Sequence, residues 1–190
     1  MKKPTKISTL ILALILCLAC LASCGEKKPS EGLEFSPSND GAGYYVSQLG
    51  SCTDSEIVIP SNYNGKLVKG IDDQAFRGCV LITSVVLPEG ITFIGEMALS
   101  KCTSLTNITI PNSVKKIKAY AFADCSSLEE VVIGKGVSTI GLFAFKDCDA
   151  LKSITYEGTK AQWEDIQKSS GWDDGTENYT VHCTDGDIAK

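Results

Sequence analysis

The most reactive side chains in this 190-residue sequence are nine cysteines and a single histidine, His182. A cysteine or serine nucleophile needs a neighbouring general base, and His182 is followed by Cys183 and lies near Ser170 and Asp185 in the sequence. Adjacent residues of a β-strand point to opposite faces, so His182 and Cys183 would not pair in the strand that we predict here. The sequence therefore predicts no catalytic residue, and we expect a protein that is not an enzyme.

Four of the cysteines recur at intervals of 23 residues, at Cys79, Cys102, Cys125 and Cys148. A repeat spreads such sulfurs along a line, whereas a metal ion needs three or four ligands that converge on a point. Stacked β-carbons lie about 4.8 Å apart, and a disulfide needs about 3.5–4.5 Å. We therefore predict buried free thiols that pack as small apolar groups. No metal site and no cofactor is expected.

An acidic turn, Asp173-Asp174-Gly175 followed by Glu177, invites comparison with a calcium site. It lacks the alternating ligand spacing of an EF-hand loop. The sequence therefore favours a solvated acidic turn over a calcium site.

The residues around these cysteines recur with the same interval of 23 residues. Each cysteine has an Ala-Phe or Ala-Leu pair just before it and an aliphatic residue three positions after it, and a short alternating strand-like run follows. The strand-like runs are Val85-Val86-Leu87, Ile108-Thr109-Ile110, Val131-Val132-Ile133 and Ile154-Thr155-Tyr156. A fixed period of this length is the signature of stacked coils, in which neighbouring coils bury a common core. Each run would form one rung of a parallel sheet, and a second short strand or turn would precede each Ala-Phe pair.

The pattern Ile-x-x-x-Ala-Phe-x-x-Cys-x-x-Leu-x-x-Ile-x-Ile-Pro resembles the BspA-type leucine-rich repeat family. The resemblance implies an α/β repeat fold, a short leucine-rich-repeat solenoid with a parallel β-sheet and about four 23-residue coils. It covers residues 43–190, with an N-terminal cap at 43–67, four repeats at 68–159 and a C-terminal cap at 160–190. Within the C-terminal cap, Thr159 and Gln162 fit a helix capping box.

The N-terminus has the features of a secretory signal. Lys2, Lys3 and Lys6 precede an apolar run from Leu10 to Ala22, which is shorter than the roughly 20 residues of a membrane-spanning helix. The end of the run, Leu21-Ala22-Ser23-Cys24-Gly25, resembles a bacterial lipobox. The resemblance implies cleavage after residue 23 and a lipid on Cys24, which would anchor the protein to the extracellular face of the bacterial cell membrane.

Residues 24–42 contain Pro29, Pro37 and several serines without an apolar period, so we predict a flexible tether behind the lipidated cysteine. Loss of the three lysines in residues 1–23 would change 18 basic and 23 acidic residues to 15 and 23, a net charge of −8. This acidic balance argues against nucleic acid as a partner.

The outward residues of the four predicted rungs are the candidate binding site. They are Ser84, Val86, Asn107, Thr109, Glu130, Val132, Ser153 and Thr155. The predicted function is a lipid-anchored binding module at the cell surface that uses this face. Adhesion to a host or matrix protein or glycan is what the resemblance implies. The alternative is a structural or envelope-assembly protein with no external ligand. Crosslinking in intact cells would distinguish the two.

Overall fold

The structure, a computed structural model, describes residues 27–189. The predicted signal sequence at residues 1–23 and the predicted lipid site at Cys24 lie outside the described residues. The elements are β1 (Glu34–Pro37), β2 (Gly43–Gln48), β3 (Glu56–Val58), β4 (Asn62–Tyr63), β5 (Lys66–Ile71), β6 (Ser84–Val86), β7 (Phe93–Ile94), β8 (Asn107–Ile110), β9 (Lys116–Ile117), β10 (Glu130–Ile133), β11 (Thr139–Ile140), β12 (Ser153–Tyr156), α1 (Lys160–Asp165), β13 (Gln167–Lys168), β14 (Thr180–Cys183) and β15 (Gly186–Ala189).

These strands form two sheets. The first sheet has the order β1-β2-β5-β7-β9-β11-β13, with β4 paired to β5, and the second has the order β3-β6-β8-β10-β12-β14-β15. Neighbours in each order are parallel, except that the end strands β1 and β15 are antiparallel to β2 and β14. The additional strand β4 is antiparallel to β5. Each coil contributes one strand to each sheet, so the chain winds as a β-solenoid of about six turns. The predicted solenoid with a parallel sheet is therefore confirmed, and the segments predicted as caps add a strand to each sheet at both ends.

A third side of the solenoid is also joined by backbone hydrogen bonds between coils. The N–H groups of Phe76, Leu99 and Phe122 each donate to a carbonyl of the next coil at 2.8 Å. The acceptors are Ala98, Ala121 and Ala144. The Ala-Phe segment of each coil is thus held in register without being part of either sheet, which satisfies backbone groups that burial would otherwise leave unpaired.

The core consists of columns of equivalent residues. Ile71, Ile94, Ile117 and Ile140 are completely buried, as are Phe76, Leu99, Phe122 and Phe145 on the third side. The recurring positions that the sequence predicts as core are thus inside, because only stacked coils can cover them.

The N-terminal end differs from the flexible tether predicted over residues 24–42. Residues 34–37 form β1, and the ring of Phe35 stacks on Tyr63 with 4.0 Å between centroids. Leu33 is buried, and Ser30 donates its N–H to the carbonyl of Val58 on the edge strand β3 at 2.9 Å. The segment therefore packs on the solenoid from Ser30 to Ser38, because Leu33 and Phe35 cover apolar surface that the first coil would otherwise expose.

The C-terminal end is closed by α1 and aromatic side chains. Thr159 caps the helix and forms the predicted capping box with Gln162. Trp163 and Ile166 are buried, and the ring of Trp172 contacts Phe145 at 5.9 Å between centroids. The cap thus covers the apolar end of the last regular coil.

Candidate binding surface

The outward residues of the second sheet form two rows, which we call the second-sheet strip. The parallel register aligns one row along the sheet as Ser84, Asn107, Glu130 and Ser153. The other row contains Val86, Thr109, Val132 and Thr155. None of these eight side chains is buried, whereas the intervening Val85, Ile108, Val131 and Ile154 are. The structure therefore brings all eight predicted residues onto one face.

The strip is longer than the sequence analysis predicted. Strand β3 adds Glu56 beside Ser84, and β14 adds Thr180 and His182 beside Ser153 and Thr155. Six strands at about 4.8 Å spacing give a strip of roughly 24 Å. The alternation around the buried residues Ile57 and Val181 is the sequence signal that places these additional side chains outward.

The ends of the strip are charged and its centre is mostly neutral. At one end Lys27 Nζ lies 2.7 Å from Glu56 Oε2. At the other end His182 Nδ1 lies 2.9 Å from Asp187 Oδ1. Both pairs are exposed, so each contributes little to stability. The hydroxyl and amide groups between them can donate and accept hydrogen bonds, which suits recognition of a polar partner.

His182 and Cys183 diverge as the sequence analysis predicts. His182 is exposed and faces the carboxylate of Asp187 on β15. Cys183 is half-buried and packs against the core on the other side of the strand. The two side chains therefore do not form a nucleophile and base pair.

The cysteine column forms a ladder of thiol hydrogen bonds. The Sγ atoms of Cys102 and Cys125 donate to the carbonyls of Phe76 and Leu99 in the preceding coils, both at 3.2 Å. Cys148 makes the same bond to Phe122 at 3.3 Å. In the last coil the hydroxyl of Thr176 takes the place of the thiol.

Thr176 is a completely buried polar residue at the end of the cysteine column. Its Oγ1 donates to the carbonyl of Phe145 at 2.6 Å and accepts from the N–H of Cys148 at 2.9 Å. The hydroxyl of Thr176 thus donates to the carbonyl of Phe145 the hydrogen bond that a cysteine thiol donates in the preceding coils.

Burial makes these thiols weak acids. Desolvation raises the pKa of Cys102 and of Cys148 to about 12, and it raises that of Cys125 well above its usual value. All six cysteines of the described residues are free. The thiolate is the nucleophile and the metal ligand, and these three buried thiols stay protonated at neutral pH. Cys79, at the start of the column, is only half-buried.

The carboxylates of the acidic turn in the C-terminal cap contact other side chains of the protein. Asp173 accepts a hydrogen bond from the hydroxyl of Tyr179, and Asp174 lies 3.7 Å from the ammonium of Lys146. Across residues 27–189, no group of three or more histidine, cysteine or acidic side chains is arranged to hold a metal ion. These contacts tie Asp173 and Asp174 to other parts of the protein.

No helix within residues 27–189 is long and apolar enough to cross a membrane.

The repeat pattern matches that of known proteins. The BspA type leucine-rich repeat region matches residues 49–169 in six copies. No curated protein sequence matches the chain.

Several solved structures are similar to this chain. A leucine-rich repeat protein of T. pallidum is 27% identical with a TM-score of 0.58, over 68% of this chain and 71% of that one. A leucine-rich cell surface protein of Faecalibacterium prausnitzii is also 27% identical, with a TM-score of 0.58 over 74% of this chain. A leucine-rich repeat protein of Bacteroides ovatus is 28% identical, with a TM-score of 0.60 over 75% of this chain. The matched region spans only 42% and 40% of the Faecalibacterium and Bacteroides proteins.

Proposed function

The chain belongs to the BspA type leucine-rich repeat family, and from this premise we propose that it is a recognition module displayed at a bacterial cell surface. It is a binding protein rather than an enzyme, and it adheres to a host or matrix protein or glycan through the second-sheet strip. A relative described as a cell surface protein supports the location.

The geometry of the second-sheet strip carries this proposal. Solenoids present the face of their parallel strands to partners. Here that face is continuous, and Asn107, Thr109 and Thr155 near its centre are exposed and without charge. A strip of roughly 24 Å suits an extended partner or repeated weak contacts from many copies on one membrane.

A lipid on Cys24 would provide the membrane attachment. The N-terminal segment packs on the solenoid from Ser30, six residues later, so the anchor would lie close to the first coil. Mass spectrometry of the mature protein tests this directly. We expect an N-terminus at residue 24 that carries acyl chains, and an unmodified chain that begins elsewhere would refute the anchor.

A binding experiment tests the strip. The full chain is screened against arrays of matrix proteins and glycans, and each hit is repeated with the double variant Asn107→Arg and Thr155→Arg. Both positions are exposed, so the arginines should block the face and abolish binding without unfolding the protein.

The control is Ser126→Arg with Ser170→Arg, which makes the same change in net charge at exposed positions outside the strip. Binding that survives in the control and is lost in the strip variant supports the proposal. Equal binding by all three proteins, or the absence of any saturable ligand, would contradict it. Crosslinks in intact cells that reach only envelope proteins would favour the structural alternative instead.

A further inference from the structure

A second concave surface lies on the outward face of the first sheet, away from the second-sheet strip. It is a cavity of about 680 Å³, within the range of about 300–1,000 Å³ that small-molecule sites occupy. Its floor contains the rings of Tyr45 on β2 and Phe93 on β7, which meet edge to face with 5.0 Å between centroids. Neither ring is buried in the core. The ammonium of Lys118 lies over the outer face of Phe93, so Tyr45 is the ring that presents aromatic surface to the cavity.

Gly70 on β5 allows this floor to form. It lies between Tyr45 and Phe93 in the register of the sheet. A β-carbon at Gly70 would lie 2.5 Å from Cε1 of Phe93, so the ring rests on the backbone of β5. The aromatic floor therefore depends on a residue without a side chain at this position.

The two walls of the cavity carry opposite charges. Asp72 and Asp73 lie on one wall, and Lys115, Lys116 and Lys118 lie on the other. Lys118 bridges them, because its ammonium lies 2.8 Å from Asp73 Oδ1 and 4.9 Å from the centroid of the Phe93 ring. Lys115 and Lys116 are exposed and form no ion pair within residues 27–189, so their ammonium groups are free to meet a ligand.

Both carboxylates of the acidic wall already accept hydrogen bonds from the protein. Desolvation raises the pKa of Asp73, but hydrogen bonds from Lys118 and from the N–H of Glu96 outweigh it, and the net pKa is lowered. Asp72 accepts a hydrogen bond from the hydroxyl of Ser36 at 3.2 Å. Both carboxylates keep further lone pairs that can accept hydrogen bonds from a ligand.

The charges on the two walls restrict which classes of ligand the cavity can bind. A simple anion such as phosphate would meet Asp72 and Asp73, and a simple cation would meet the lysines, so each would be repelled by one wall. A polyhydroxylated ligand with a carboxylate fits both walls. Its hydroxyls donate to the aspartates, its carboxylate accepts from Lys115 and Lys116, and its apolar ring face covers Tyr45.

The backbone argues against an extended peptide. Strands β2, β5, β7 and β9 under the cavity are each paired on both sides, so no free strand edge is available for an added strand. Side chains alone must recognise the ligand here, which suits a saccharide better than a peptide.

We propose that this cavity binds a short acidic oligosaccharide of the uronate class. A sugar ring lies on Tyr45, which Phe93 supports from the side. A uronate carboxylate pairs with Lys115 and Lys116, and ring hydroxyls donate to Asp72 and Asp73. The proposal rests on the proposed role of the protein in recognition, but its site is separate from the second-sheet strip.

The test uses the full chain in detergent and two probes, trigalacturonate and its fully methyl-esterified form. The two probes share their rings and most hydroxyls, and only the acid carries charge. Titration calorimetry should show saturable binding of trigalacturonate and at least about tenfold weaker binding of the ester. Inorganic phosphate should not compete at equal concentration.

Two variants locate the site. Lys115→Gln with Lys116→Gln removes both unpaired ammonium groups and should weaken trigalacturonate binding by at least about tenfold. Gly70→Ala displaces the ring of Phe93 and should weaken both probes while keeping every charge. The control is Lys101→Gln with Lys135→Gln, which removes the same charge from exposed lysines outside the cavity and should bind normally.

Absence of saturable binding by the unmodified chain would overturn the proposal. So would an equal loss in the control, or competition by phosphate, since either would show that only general charge attracts the probe. The Asn107→Arg and Thr155→Arg variant separates this result from the proposed function. If that variant loses a surface ligand while trigalacturonate never binds, the strip is functional and the uronate site is refuted.

Discussion

At the scale of single residues, the cysteine column shows why this position tolerates a small polarizable side chain. The thiol of Cys125 is completely buried and donates to the carbonyl of Leu99, so it combines apolar packing with a weak hydrogen bond. Alanine would fill less space and lose the thiol hydrogen bond, and the carbonyl of Leu99 would keep only its bond from the N–H of Cys102. An ionised thiol would have no cation near it to offset its burial.

The buried thiols predict a loss of stability in alkaline solution. Unfolded thiols ionise above a pH of about 8.5, whereas Cys102 and Cys148 in the folded protein have pKa values of about 12. Between these values the unfolded state binds fewer protons than the folded state. The free energy of unfolding should therefore fall as pH rises, by up to about 1.4 kcal/mol per pH unit for each thiol.

The variant Cys148→Ala isolates this effect. Urea unfolding at pH 7 and pH 10 should show a large cost of the substitution at pH 7 and a smaller cost at pH 10. Lysines and tyrosines titrate equally in both proteins, so their contributions cancel in the difference. A cost that stays the same at both pH values would contradict the prediction.

At the scale of elements, Thr176 shows how the column ends. Replacement by valine removes the hydroxyl that pairs with Cys148 and Phe145, and it leaves a buried N–H and a buried carbonyl unsatisfied. We expect Thr176→Val to lower the free energy of unfolding in urea by about 2–3 kcal/mol. Thr176→Ser keeps the hydroxyl and should recover most of this loss. Valine at the half-exposed Thr139 is the control, and an equally small effect at both sites would refute the role of Thr176.

The repeat made most of these elements predictable. The second-sheet strands β6, β8, β10 and β12 follow from the alternation in each 23-residue unit. The outward residues follow from the same alternation, so the strip could be predicted side chain by side chain. Thr176 could not be, since it lies 28 residues after Cys148 and breaks the period.

The cavity on the first sheet could not be predicted from the sequence either, because its residues do not follow from the repeat. Tyr45 and Phe93 are 48 residues apart, and the hairpin of β4 and β5 is inserted between them. The pairing of β2 with β5 also shifts register between Tyr44 and Tyr45. A one-residue shift moves a side chain to the other face of a sheet, so the position of Tyr45 depends on tertiary structure.

At the scale of the whole molecule, the solenoid protects its own ends. Ser30 covers the edge of β3, and the antiparallel strands β1 and β15 terminate the two sheets. Exposed strand edges promote association between molecules, so the bond from Ser30 opposes pairing of another chain at the edge of β3. These features also fix where the folded unit begins, which determines its distance from any lipid anchor.

Deletion of the N-terminal segment tests that boundary. A chain that begins at Lys27 keeps Leu33 and Phe35, and a chain that begins at Gly43 lacks both. Burial of Leu33 contributes about 2 kcal/mol, and the stacking of Phe35 on Tyr63 adds about 1 kcal/mol. We expect the shorter chain to unfold in urea with a free energy about 3 kcal/mol lower.

The double variant Leu33→Ser with Phe35→Ser is the matched control for this deletion. It keeps the chain length and should lose nearly as much stability as the deletion, because the loss comes from apolar contacts. A flexible tether would instead give equal stability for all three proteins. The predicted loss would show that the fold begins before residue 43. Ser30 lies six residues after Cys24, and six residues span at most about 22 Å, so a lipid on Cys24 would hold the first coil near the membrane.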